Sequence, residues 1–265
     1  MMVTLLGGVP IPYSLHRSLN WCPDPDEVSK LCGDKTKGII ITSPSNPCGS
    51  VMPMETLSSL ARLSSTKGLL VISDEIYSRV YYGEGLRAPG LLQVDCMDLD
   101  PERLVVVDGV SKYWAMTGFR VGWVLTPNNL ISATLGKVLE STISCGVPFA
   151  QAAATAALTD PSALLEAEKM TRNFKKRRDA AIRVVREFGL YEYTPQGAFY
   201  MLIKATDGDD MEFCKRLLQE ERVAVSPGSA FGDVAKGFVR ISLASSLKDV
   251  ENGVKKLCQT ILNSR

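Results

Sequence analysis

The chain has 265 residues, 45% hydrophobic and 22% charged, the composition of a soluble globular protein with ample core for one large domain or two ordinary ones. Thirty basic against 29 acidic residues leave the net charge near zero, so electrostatics gives no reason to expect nucleic acid or an anionic membrane as a partner. No apolar run reaches the length of a membrane span and the first residues lack a signal peptide's basic flank; seven scattered cysteines (22, 32, 48, 96, 145, 214 and 258) beside the single His16 predict reduced thiols in the cytoplasm and no metal site.

In chain order, residues 3–6 read as a strand and 25–32 as a short helix. The β-branched run at 39–42 predicts a strand covered on both faces. Ser43-Pro-Ser-Asn-Pro-Cys-Gly-Ser50 is a dense turn cluster, rigid because its prolines restrict φ while Gly49 permits a positive value. Pro53 opens a helix with Leu57, Leu60 and Ala61 on its apolar face, and Gly68 closes it. Strands follow at 69–72, running into Ser73-Asp-Glu-Ile-Tyr77, at 104–107, with Lys112 on the loop that leaves it, and at 121–125.

Strands alternating with helices predict a mostly parallel central sheet, whose strand ends share one edge. That edge receives Asn46, then Asp74 with Tyr77, then Lys112, and ligands of open α/β sheets bind at such ends. Lys112, with Arg120 further along between Gly118 and Gly122, suggests a nucleophilic amine beside an anion site. Each residue also has a bland role: Asn46 as a turn former, Asp74 as a helix cap, Tyr77 as a packed aromatic, Lys112 and Arg120 as surface charges. Their succession on consecutive strand ends argues for a site instead.

Beyond residue 145 the pattern changes. A small-residue helix at 148–158 precedes a long one at 161–188, whose Lys175-Lys-Arg-Arg178 run reads as solvated surface. Strands at 198–203, 223–225 and 238–243 alternate with a helix at 211–222, and a closing helix carries Leu247, Val250, Val254, Leu257 and Ile261 as a stripe. The expected organisation is a larger α/β domain over 1–150, connecting helices over 151–190 and a smaller C-terminal α/β domain over 191–265.

Four stretches in register carry a resemblance: Ser43-Pro-Ser-Asn46-Pro-Cys-Gly49; Asp74-Glu-Ile-Tyr77; Ser111-Lys112 with Met116-Thr-Gly-Phe-Arg120-Val-Gly; and Phe238-Val-Arg240-Ile-Ser. With Gln196-Gly-Ala-Phe-Tyr200 and Pro227-Gly-Ser229-Ala-Phe-Gly232, they resemble the class I/II aminotransferases, pyridoxal-phosphate (PLP) enzymes of the aspartate aminotransferase fold, PLP fold type I. The resemblance runs over essentially the whole chain. It implies transfer of an amino group from an amino acid to a 2-oxo acid, with pyridoxal 5'-phosphate as cofactor and a homodimer in the full-length form. It further implies that Lys112 forms the Schiff base and carries the proton, and that Asp74 pairs with the pyridine nitrogen. Tyr77 and Asn46 would donate to the ring's phenolic oxygen, Arg120 with Ser111 would hold the phosphate, and Arg240, helped by Asn46, would grip the substrate carboxylate.

The chain departs from that pattern at Gly109, where many members carry a phosphate-binding serine, and at Cys48, which replaces a threonine and reads as a small packed residue. The family's glycine-containing phosphate loop, its ring-stacking aromatic and its N-terminal dimer arm precede the region where this sequence starts, so the chain resembles the C-terminal part of a member. Two other functions fit the same residues: a PLP-dependent lyase or synthase such as 1-aminocyclopropane-1-carboxylate synthase, and an impaired short form that binds or dimerises. Met116-Thr-Gly is closer to the transaminases than to the synthase. The amino acid used is not written in these residues.

Overall fold

A computed structural model describes residues 2–95 and 97–264; of the cysteines, Cys96 lies outside them. After the short antiparallel pair β1 (Leu15–His16) and β2 (Cys22–Pro23) and the expected short helix α2 (Pro25–Leu31), the β-branched and apolar runs form a sheet of strands β3 (Gly38–Thr42), β4 (Leu70–Asp74), β5 (Leu104–Gly109) and β6 (Gly122–Leu125), in that spatial order. β3, β4 and β5 are parallel, with Thr42 level with Asp74 and Asp74 level with Val107. β6 runs antiparallel to β5, so the sheet is mixed. The register brings the C-terminal ends of β3, β4 and β5 to one edge, as the alternation of strands and helices predicted.

Helix α3 (Met54–Lys67) ends at Gly68, whose φ of 65° lets its N–H cap the last turn. Its Leu57, Leu60 and Ala61 join Ile39, Ile41, Val71, Leu104 and Val106 in one core cluster. The other face of β3 is bare: Ile40 is 49% exposed, so the expectation of cover on both faces fails there. Strand alternation turns Ile40 away from α3 and leaves it half exposed. Asp74 shares that face, because Ile40 is level with Ile72 and Asp74 follows two residues on.

Two elements differ from expectation at the start and middle of the chain. Residues 2–5 form a short helix, α1 (Met2–Leu5), rather than a strand; Gly8 N–H donates to Val3 O at 2.9 Å, and with Leu6 83% exposed no sheet edge recruits the segment. An unforeseen helix, α4 (Asn129–Thr142), follows β6, started by Asn128, whose side-chain oxygen accepts from Ile131 N at 3.0 Å.

The C-terminal part is built on a second, antiparallel sheet of β7 (Tyr200–Lys204), β9 (Phe238–Ser242) and β8 (Ser226–Pro227). The strand expected at 223–225 therefore lies slightly later, where Ser226 and Pro227 pair with Arg240 and Val239. The long helix α6 (Pro161–Glu187) and the closing helix α8 (Leu247–Asn263) enclose a core of Phe174, Ala181, Val185, Met201, Ile203, Val254 and Leu257. Val80, Tyr82 and Tyr113, from the first half of the sequence, belong to the same cluster. Among the described residues no helix is long and apolar enough to cross a membrane.

The run Lys175-Lys-Arg-Arg178 corrects the expectation of a wholly solvated surface. Lys175 and Lys176 are exposed, but Arg178 is only 8% exposed, donates to Pro195 O at 2.8 Å and lies 4.8 Å from the Tyr82 ring centroid. One helical turn rotates charged neighbours onto different faces, and Arg178 faces inward. Arg178→Ala should cost about 1.5–3 kcal/mol, the range for a hydrogen bond to a charged group. Lys175→Ala should stay within about 0.5 kcal/mol. Urea denaturation of both variants checks the contrast.

Candidate active site

Asn46 owes its place to the turn that contains it. Gly49, at φ 68°, bends the chain so that its carbonyl accepts from Gln196 N at 2.8 Å and from Gly197 N at 2.9 Å. A Cβ at Gly49 would stand 2.7 Å from Tyr200 O and 2.8 Å from Gly197 O, so only glycine permits this docking. Tyr193 OH adds a bond to Cys48 O at 2.7 Å, and Cys48 itself is buried at 1% exposure, the packed residue expected of it. Burial pushes its thiol up to about 12, so it stays protonated.

The docked turn sets Asn46 against β9. Arg240 Nη1 donates to Asn46 Oδ1 at 2.8 Å and Nη2 to Ser226 Oγ at 3.1 Å, while Nε is buried without a partner. The guanidinium also lies 4.4 Å from the Tyr200 ring centroid and 4.7 Å from that of Phe231. Tyr200 OH is 3.3 Å from Tyr77 OH, and Lys112 Nζ lies 5.7 Å from the Tyr77 ring centroid. Burial first, then the Tyr200 hydroxyl, raises the Tyr77 pKa far above its ordinary value, so Tyr77 keeps its proton and remains a donor.

Asp74, the last residue of β4, feels the Lys112 charge. Burial raises its pKa, against the lowering influence of Ile76 N, which donates at 3.2 Å, and of the Lys112 charge. Beside it Glu75, 1% exposed, accepts from Ser73 Oγ, Arg87 Nη2 and Leu91 N, each at 3.1 Å, and anchors the strand end. The Lys112 loop is folded on itself: Ala115 N donates to Lys112 O at 3.1 Å and Thr117 Oγ1 to Ser111 O at 2.8 Å. Arg120, at φ 55° and exposed, donates to Thr117 O at 2.8 Å.

The structure thus links Asn46, Arg240, Tyr200, Tyr77 and Lys112 through successive contacts, and the Lys112 charge acts on Asp74; Ser111 is half-buried and Arg120 exposed on the same loop as Lys112. Glycine at 109 has a physical reason. A Cβ there would lie 2.8 Å from Val121 O and 2.9 Å from Gly122 Cα, so a serine would force β5 and β6 apart. Sequence reasoning gave no role to Ser226, Tyr200 and Phe231, although the last two stand in stretches it quoted. A groove of about 400 Å³ lies beside Tyr113–Met116, between that loop and the helices α5 (Pro148–Thr159) and α6, and none of the site residues lines it.

Residues 1–257 match the family model described as aminotransferase class I and II. The chain belongs to that family. It is 36% identical over 257 residues to an aspartate aminotransferase of Pyrococcus abyssi, covering 96% of this chain and 65% of the relative. Against an aspartate aminotransferase of Thermotoga maritima the identity is 34%, over 99% of this chain and 66% of the relative. The chain therefore spans about two thirds of the length of these aminotransferase relatives. Among solved structures, an aromatic aminotransferase from Pyrococcus horikoshii superposes with a TM-score of 0.91 at 34% identity, over 99% of this chain and 69% of that one. The Thermotoga maritima aspartate aminotransferase gives 0.88 at 34%, over 98% and 66%. The fold is that of aspartate aminotransferase, as the resemblance implied.

Proposed function

We propose that this chain belongs to a pyridoxal-phosphate-dependent aminotransferase that moves an amino group from an amino acid to a 2-oxo acid. The observation that carries the proposal is the contact series from Arg240 through Tyr200 and Tyr77 to Lys112, with Asp74 beside it. The donor set fits the cofactor. A carboxylate raised by burial at Asp74 suits a cationic ring N–H, and an unpaired buried Nε on Arg240 leaves that guanidinium able to take a carboxylate. When bound, pyridoxal phosphate supplies an aldehyde and an electron-withdrawing ring.

The chain's own residues do the rest. Lys112 Nζ would hold the cofactor through its aldehyde, and as a free amine it would carry the proton at the substrate Cα. Asp74 would hold the proton on the ring nitrogen. Tyr77 donates from its hydroxyl, and Asn46, whose oxygen is taken by Arg240, keeps its amide N–H groups for the same phenolic oxygen. Ser111 and Arg120 would hold the phosphate. Arg240, carried by a separate C-terminal unit over 191–265, binds the substrate carboxylate, so binding and closure of that unit on residues 1–150 act together. The full protein works as a cytoplasmic homodimer.

The test is transamination with 2-oxoglutarate as acceptor, together with Arg240→Lys. That substitution keeps the charge and loses the fork, so the amino-acid KM should rise about ten- to a hundredfold, the equivalent of one charge-assisted hydrogen bond. Cofactor absorbance should not change. Parent protein that reacts equally well with amines lacking a carboxylate would refute the role given to Arg240.

A further inference from the structure

Helix α7 (Asp210–Glu221) starts with two aspartates that do different work. Asp209 caps it, accepting from Met211 N at 2.8 Å and Glu212 N at 3.1 Å. The helix end is therefore served, yet Asp210 is 3% exposed and turned to another segment. Its Oδ2 accepts from Ser229 N at 2.9 Å and Gly237 N at 3.0 Å, and its Oδ1 from Ser229 Oγ at 2.6 Å. Burial raises the Asp210 pKa, but these donors and Met211 N outweigh it and hold the carboxyl below its ordinary value. A buried carboxylate spending its bonds on one loop is a costly arrangement unless the loop must be held still.

The loop it holds connects β8 to β9, and it leads to Arg240 twice. Ser226, in β8 just before the loop and level with Arg240 on β9, accepts from Arg240 Nη2 at 3.1 Å, and Phe231, two residues after Ser229, lies 4.7 Å from the guanidinium. Met211, Glu212 and Phe213 follow Asp210 on α7 without joining these contacts to the loop. Asp210 ties the loop's two ends, at Ser229 and Gly237, to one point, while Gly237 O also accepts from Ala205 N at 2.8 Å and Thr206 N at 3.0 Å.

We propose that Asp210 is a positioning residue for carboxylate recognition: through Ser229 it fixes Ser226 and Phe231 against Arg240 and so presets the guanidinium for the substrate's carboxylate. This rests on the proposed aminotransferase reading, and it adds a specific dependence of substrate affinity on a residue that touches neither substrate nor cofactor. A guanidinium held in place beforehand loses less freedom on binding, so loosening it appears as weaker affinity rather than slower chemistry.

Three variants of the cofactor-loaded protein test this: Asp210→Asn, Asp210→Ala and Ser229→Ala, the last removing only the 2.6 Å hydroxyl bond. The expected result for the Asp210 variants is a KM for amino acid and 2-oxo acid raised about tenfold with kcat within about twofold, a smaller rise for Ser229→Ala, and no change for amines without a carboxylate. Phe231→Leu combined with Asp210→Asn should add little to Phe231→Leu alone. A second readout needs no activity. Phenylglyoxal labelling of Arg240, followed by peptide mass, should run several-fold faster in the variants, while labelling of exposed Arg172 stays as in the parent. If Asp210→Ala does not fold, Asp210→Asn and Ser229→Ala still decide. Unchanged KM with unchanged labelling of Arg240 overturns the proposal, as does equal loss of affinity for carboxylate-free amines. Faster labelling in the variants, beside a parent that transaminates nothing, would retain the positioning role and reject the aminotransferase reading instead.

Discussion

Lys112→Ala should lower transamination by about four orders of magnitude or more, because one amine both attaches the cofactor and moves the Cα proton. Folding should survive. Lys112 is half-buried, its ammonium makes no ion pair among the described residues, and the loop's internal bonds run through backbone atoms and Thr117. The accompanying chemical test is borohydride reduction of the cofactor-loaded parent, followed by peptide mapping. The pyridoxyl label belongs on the peptide containing Lys112. A label on a different lysine would remove Lys112 from the mechanism regardless of what the alanine variant does.

Asp74→Asn should separate catalysis from stability. Losing the counter-charge to the ring nitrogen should reduce turnover on the order of a hundred- to a thousandfold, the equivalent of two to three pKa units. The cofactor-free protein should respond the other way. Burial raises the Asp74 pKa in the folded state, so the stability that Asp74 contributes is full below its ordinary value of 3.8 and is lost as pH rises through the folded value. Above that window the buried charge is a cost. Asparagine carries none, so the cofactor-free variant should match or exceed the parent's stability at neutral pH and vary less with pH. Urea midpoints for both proteins at pH 4 and pH 7.5, without cofactor, measure this directly. A variant that is less stable at neutral pH and still turns over normally would assign Asp74 to the fold rather than to the chemistry.

Local chemistry alone determined a good part of this protein. The runs that became β3, β4 and β5 are β-branched or apolar and bounded by turn formers or helices, and side-chain alternation with the parallel register then places Asp74 and Lys112 at one edge. Gly68 closes α3 in the left-handed conformation that glycine adopts without strain. The family was also legible, since its motifs are short, local and ordered.

What tertiary structure decided are matters that a local pattern cannot encode. Whether Ile40 is covered depends on what stands over the sheet, not on its neighbours in sequence, and the run 39–42 reads the same either way. The burial of Arg178 depends on Pro195 and Tyr82 arriving from other segments. Residues 2–5 curl into a helix because strand propensity is worth little without an edge to pair with. Gly109 reads as a missing serine until the approach of Val121 and Gly122 shows that no side chain fits there. The contact between Asn46 and Arg240 spans 194 positions and exists because the turn at Gly49 docks on Gln196 and Gly197, bringing the two sheets' functional groups within hydrogen-bonding distance.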